Sequence, residues 1–100
     1  MMTTQTRASA VLEIDVNNHA GVMAHVVGLF SRRAYNLEGI ACLPVGDGRH
    51  SRIWLKVMED ERMPQVLRQV EKLEDVQGVR LHGGDHPVFT GLAAHFRQDG

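Results

Sequence analysis

The chain is short of cysteine, of charge of one sign and of long apolar runs, and each shortage excludes a class of protein. Its single cysteine, Cys42, has no second thiol with which to close a disulfide inside the chain, so no disulfide framework staples the fold. Lys and Arg number 11 against 12 Asp and Glu, and a net charge of -1 supplies no basic field for nucleic acid or for an anionic membrane surface. No apolar run approaches the ~20 residues that a bilayer crossing needs. The opening MMTTQTRASA has Arg7 but no apolar core of signal-peptide length after it, so the cytoplasm is the expected compartment. No internal repeat and no low-complexity segment is visible. What remains is an ordinary globular composition, 43% hydrophobic and 23% charged over 100 residues, sufficient for one core and one domain.

Hydrophobic periodicity divides that domain. Residues 1–9 are polar and read as a flexible tail. Leu12, Ile14 and Val16 alternate with Glu13 and Asp15, which predicts a strand over residues 10–16 with one covered face. The rows Val22-Val26-Phe30 and Met23-Val27-Ala34 predict a helix over residues 21–34. Residues 37–45 follow as a second strand, and its unbroken run Ile40-Ala41-Cys42-Leu43 predicts cover on both faces, the second face supplied by another chain. Gly46-Asp47-Gly48-Arg49 is a hairpin signal, and Ile53, Leu55 and Val57 then alternate with Arg52, Trp54 and Lys56, turning Trp54 away from the helices. Asp60 caps a second helix with Pro64 in its first turn and an end near Glu74, and Val79 with Leu81 marks a fourth strand that Gly83-Gly84 closes. The order strand, helix, strand, strand, helix, strand is the split βαβ pattern of a ferredoxin-like α+β fold, a four-stranded antiparallel sheet with two helices on one face and the other face bare. After Pro87, the residues Val88, Phe89, Leu92, Ala93 and Phe96 have helical spacing, and their apolar stripe needs a surface to dock on.

The period changes from two to three and four inside Asn17-Asn18-His19-Ala20-Gly21-Val22-Met23, and this elbow is the candidate binding site. A helix beginning there leaves its first N–H groups without intrahelical partners, and neither Ala20 nor Gly21 has a side-chain oxygen to cap them. Their partial positive charge suits a carboxylate, and Gly21, with no Cβ, lets a ligand come close to the main chain. An ordinary strand-to-helix loop capped by Asn18 fits the same residues.

Several longer strings in the chain are similar to a known family. Asn18-His19-Ala20-Gly21-Val22-Met23, Gly28-Leu29-Phe30-Ser31-Arg32-Arg33-Ala34-Tyr35-Asn36-Leu37-Glu38-Gly39-Ile40, Cys42-Leu43-Pro44, Ile53-Trp54-Leu55 and Lys72-Leu73-Glu74-Asp75-Val76 together resemble the amino-acid-sensing ACT domain, and within it the short regulatory subunit of acetohydroxyacid synthase (acetolactate synthase), isozyme I type. Ala20 departs from the family, which usually has proline there, and residues from Gly83 onward match only loosely. The resemblance implies an ACT domain over residues 10–83 with a C-terminal extension over 84–100. It implies a homodimer binding valine between chains, with Asn18, His19, Ala20, Gly21, Val22 and Met23 from one copy and Asn36 and Leu37 from the other. Helix N–H groups and two Asn amides supply donors for an amino-acid carboxylate and an acceptor for its ammonium, and Val22, Met23 and Leu37 meet its side chain. Such a pocket separates side chains differing by one methylene by only ~1–3 kcal/mol, so valine is expected to be preferred without leucine or isoleucine being excluded. The resemblance further implies a non-catalytic chain, cofactor-free itself, that activates a catalytic large subunit carrying thiamine diphosphate, FAD and Mg, and that restrains it when valine binds. An amino-acid sensor serving another enzyme is the alternative.

Other signals carry less. His82 and His86, four apart with Asp85 between, have no second cluster to complete a tetrahedral metal set, and they read as solvated. Val76-Gln77-Gly78-Val79-Arg80 resembles part of the acylphosphatase signature but precedes a strand, where no helix N-terminus receives a phosphate. Cys42 lies mid-strand among apolar neighbours and reads as a small buried hydrophobe. Nothing assembles a nucleophile, base and oxyanion site.

Overall fold

The computed structural model describes residues 8–17 and 21–96. Its elements are β1 (Ser9–Asn17), α1 (Val22–Ser31), β2 (Leu37–Val45), β3 (His50–Met58), α2 (Met63–Glu71), β4 (Val76–Gly83) and α3 (Pro87–Phe96). The strands form one antiparallel sheet in the order β2-β3-β1-β4, the ferredoxin-like arrangement that the element order predicts. Among the described residues no helix is long and apolar enough to cross a membrane.

Register decides which side chains share a face. Leu12 lies opposite Leu55, and Ile14 between Ile53 and Val79, so these residues point to the same side of the sheet. There they meet Val22, Val26, Leu29 and Phe30 of α1 and Met63, Val66 and Val70 of α2, a continuous dry core. Each such side chain contributes roughly 1.5–3 kcal/mol through burial. Tyr35 closes one end of this core with its ring edge-on to Phe30, centroids 5.8 Å apart.

Both helices are shorter than their periodicity suggests, for local reasons. Ala34 adopts φ 62, and the Tyr35 N–H returns to the Phe30 carbonyl at 3.1 Å, a left-handed turn that ends α1 at Ser31. Asp60 acts one turn ahead of α2: its Oδ1 accepts the Arg62 N–H at 2.9 Å and its carbonyl the Met63 N–H at 3.1 Å, with Pro64 in the first turn as expected.

β2 is an edge strand, with Ile40 and Leu43 42% and 70% exposed within one copy. An apolar run has the same pattern at an edge as in mid-sheet, and among the described residues no strand of the same copy flanks its outer side. One expectation is corrected: the second face of the sheet is not bare. The ring of Phe89 fits where Gly39 lacks a side chain, a Cβ there lying only 2.7 Å from Phe89 Cε1, and Trp54 on that face stacks on His86 just before α3. Gly84 passes so close to Ser9 that a Cβ would strike its Oγ and come within 2.7 Å of its carbonyl oxygen. These two glycine contacts fold the C-terminal helix back onto its own sheet, though Phe96 at its end stays 76% exposed.

Candidate ligand-binding elbow

The end of β1 is held firmly. The Asn17 N–H donates to the Asp75 carbonyl at 2.8 Å, its Nδ2 to Asp75 Oδ1 at 3.4 Å, and its Oδ1 accepts from Gln77 Nε2 at 2.6 Å. A register shift between Asp15 and Val16 bends the strand just before this clamp. Asn18, His19 and Ala20 lie outside the described residues. The chain reappears at Gly21, the residue preceding α1, with φ 89 and ψ -13. That left-handed conformation requires glycine, and a Cβ there would meet nothing within 4 Å, so the position serves both backbone geometry and open access. Gly21 has no side chain to cap the helix, and no acidic residue occupies the first turn. Of the next two residues, Val22 turns into the core and Met23 stays 38% exposed, which leaves Met23 as the apolar side chain on the outer surface. A cleft of about 100 Å³ lies beside this turn, lined by Val22, His25, Val26 and the segment from Leu73 to Val76.

Asn36 and Leu37, the other predicted half of the site, stand elsewhere. Leu37 pairs with Val57, which also faces Ala10 near the start of β1, whereas Asn17 at the elbow pairs with His50 at the far end of β3. Seven residues of β3 separate the two levels, on the order of 23 Å at strand rise. One chain therefore does not bring the elbow and Asn36 together. Asn36 is exposed, and its turn is braced by a small network. Tyr35 donates its hydroxyl to Asp60 Oδ1 at 2.6 Å, Arg62 grips Asp60 Oδ2 through Nε and a terminal nitrogen at 3.0 and 2.8 Å, and the guanidinium lies over the Tyr35 ring at 4.6 Å. The hydrogen bonds from Arg62 and then Tyr35 hold the Asp60 carboxyl down at about 2. Burial first, and then the bond to Asp60, push the Tyr35 hydroxyl up to about 12.

A second polar constellation occupies the sheet's other face, and spacing alone gives no sign of it. Glu13 is only 6% exposed, yet its Oε1 lies 2.9 Å from His82 Nε2, and its Oε2 lies 3.2 Å from Arg52 Nε and 3.6 Å from Arg80. Arg52 also binds Asp15 at 2.7 Å, and that hydrogen bond with its charge raises the guanidinium pKa further. The rings of Trp54, His82 and His86 stack within 4.6 to 5.7 Å of one another. His82 and His86 are thus partnered residues, not the solvated pair that their spacing suggests. Cross-strand register, invisible in a single segment, brings Glu13 to them.

Residues 12–77 match the family described as the AHAS small subunit-like ACT domain. The chain belongs to this family. It is 47% identical over 96 residues to the acetolactate synthase isozyme 1 small subunit of Escherichia coli, covering 96% of this chain and 100% of that protein. To the isozyme 3 small subunit of the same organism it is 36% identical over 78 residues, 76% of this chain but 48% of that longer one. The acetolactate synthase small subunit of Thermotoga maritima superposes with TM-score 0.65 at 30% identity, over 73% of this chain and 46% of that one. The ACT domain of a Chlorobium tepidum GTP pyrophosphokinase, at TM-score 0.64 and 18% identity over 76% of this chain and 99% of that one, shares the fold alone. The resemblance read from the strings around Gly21 and Asn36 therefore holds at the level of family and of isozyme type, and a small subunit of this kind is a non-catalytic, regulatory chain. In this small subunit the string from Val76 to Arg80 starts β4 and opens onto no helix. Cys42 is half-buried against the core, and among the described residues no group of three or more His, Cys, Asp or Glu is arranged to hold a metal ion.

Proposed function

We propose that the chain is the regulatory small subunit of an acetolactate synthase, that it works as a homodimer with valine bound between copies, and that it activates the catalytic large subunit when empty and restrains it when valine is bound. The observation that carries this reading is the placement of the two half-sites at opposite ends of one chain, in a protein matched along its length to an isozyme 1 small subunit. β2 is the sheet edge with exposed Ile40 and Leu43. Two copies joined edge to edge by antiparallel β2 strands reverse the ends, so the partner's Asn36 and Leu37 come to the end of the sheet where this chain holds Gly21 and Met23. The same pairing satisfies the edge's open backbone groups and covers its apolar side chains.

In that arrangement the first N–H groups of α1 receive the valine carboxylate, while the Asn18 and Asn36 side chains provide a donor and an ammonium acceptor. The chemistry of the synthase stays with the large subunit, which carries thiamine diphosphate, FAD and Mg. The assembly belongs to the cytoplasm, as a biosynthetic subunit would. Reconstitution tests the whole reading. Adding the chain to purified large subunit should raise acetolactate production, valine should reverse the gain, and Asn36→Ala should still activate but lose its valine response, with calorimetric affinity for valine weakened about tenfold or more. Asn36→Ala is a cleaner probe than a bulky residue at Gly21, whose φ of 89 strains any side chain. Absence of activation by the intact chain would remove the synthase from the reading and leave a sensor for another enzyme, whereas wild-type valine affinity in Asn36→Ala would overturn the shared site.

A further inference from the structure

The turn between β4 and α3 makes the docking of the C-terminal helix depend on one lone pair. The carbonyl of His86 accepts the Phe89 and Thr90 N–H groups at 3.1 and 3.2 Å, and its ring Nδ1 accepts the Val88 N–H at 3.1 Å. One residue thereby supplies acceptors to three donors in the first turn of α3. Its ring is also the wedge between helix and sheet, 4.8 Å from the ring of Trp54 and 4.6 Å from that of His82. An imidazole nitrogen accepts a hydrogen bond only when it carries no proton, since both ring nitrogens of the cation are donors.

We propose that His86 is a proton-operated latch: neutral, it caps α3 and holds it on the second face of the sheet; protonated, it lets the helix go. Three effects act in the same direction. The added proton turns the Val88 N–H toward another N–H. It places a cation at the positive end of the helix dipole. It also brings that cation against a basic neighbourhood, with His82 and Arg80 on β4 and Arg52 and Lys56 on β3 all on this face of the sheet. The opposing carboxylates are engaged or screened. Glu13 is bonded to His82 and lies within ion-pair distance of Arg52 and Arg80, Asp15 is bonded to Arg52, and Asp85 and Glu38 are exposed. His95 on α3 is exposed near its far end.

The two stacked histidines differ in kind. His82 meets Glu13 through Nε2, a contact that survives protonation as an ion pair, so His82 stays anchored to the sheet. His86 loses its acceptor. Because only the neutral ring accepts the Val88 N–H, docking is favoured as pH rises and lost as it falls. Release uncovers Trp54 and the Glu13 cluster without touching the dry core on the other face, so the switch is local.

Amide exchange across α3, corrected for the intrinsic pH dependence, reads the latch directly. From about pH 8 to about pH 5, the range in which histidine titrates, protection of residues 88–96 should fall by about tenfold or more while that of β1 holds. Emission from Trp54, the one tryptophan of the chain, should move to longer wavelength in step. His86→Asn retains a side-chain oxygen within reach of the Val88 N–H but cannot titrate, and its α3 protection should stay flat over the same range. Unchanged α3 protection in the wild type overturns the latch by itself, whichever variants fold. A His86→Asn profile that follows the wild type overturns it too, because the titrating group would then lie elsewhere.

Discussion

The two faces of the sheet are made by the same strands and held by different physics. On the helical face Leu12, Ile14, Val16, Ile53, Leu55 and Val57 are fully buried against α1 and α2. One residue out of step along β1 and β3 stand Glu13, Asp15, Arg52, Trp54 and Lys56, partnered by Arg80 and His82 of β4 and by the returning α3. The first face gains from non-directional burial, which neither salt nor pH near neutrality alters much. The second relies on ion pairs, stacked rings and a helix cap, all of which respond to solution conditions. A one-domain chain thus keeps its stability on one side and its adjustable contacts on the other.

The largest loss is expected on the dry face. Phe30 is fully buried between α1, Tyr35 and the sheet, and Phe30→Ala should cost about 3–5 kcal/mol in urea unfolding, with little dependence on salt. A loss below about 1 kcal/mol would mean that the core repacks freely and that the first face does not carry the fold. Glu13→Ala is expected to come next, at about 1–3 kcal/mol, because it strips the central acceptor from His82 and its neighbours. Its cost should shrink as salt is raised, and a salt-independent cost would make Glu13 a packing residue like those opposite. Gly39→Ala should act less on the global transition, at about 1 kcal/mol, while displacing the Phe89 ring and raising amide exchange in α3 alone. If α3 exchange is unmoved, Phe89 is not the contact that seats the helix.

Much of the first face is legible in the sequence, because alternation at Leu12, Ile14 and Val16 and helical spacing at Val26 and Phe30 are local patterns that need no partner to be recognised. The elbow is legible for the same reason, as a change of period around a glycine, and the structure adds that Gly21 is required by its φ of 89 as well as by access. What is hidden depends on pairing. Ile40 to Leu43 form an edge, a property of the sheet order and not of the run itself. Glu13 and His82 stand 69 residues apart in sequence and 2.9 Å apart in space, so no spacing rule joins them. Asn36 and Leu37 enter the candidate site through family likeness alone, and the register shows why no reading of one chain would have placed them beside the elbow.

The smallest effect is expected where the dry face meets solvent, at the Tyr35, Asp60 and Arg62 network beside Asn36, and pH sharpens it. Asp60 is held at about 2 against an ordinary 3.8, so its bonds to Arg62 and Tyr35 stabilise the folded chain above that ordinary value. The contribution disappears as pH falls from about 4 to about 2. Tyr35 is pushed from 10.0 to about 12, so its neutral hydroxyl stabilises the fold up to the lower value and loses that contribution as pH rises through the higher one. Asp60→Asn should therefore lower the melting temperature slightly at neutral pH, with the gap to wild type closing on the acid side. Tyr35→Phe should leave the acid limb nearly intact and flatten the alkaline one. A gap for Asp60→Asn that stays constant down to the acid limit would show that the network acts through shape and not charge. The boundary beside the proposed partner-facing Asn36 would then belong with the first face, not with the adjustable second.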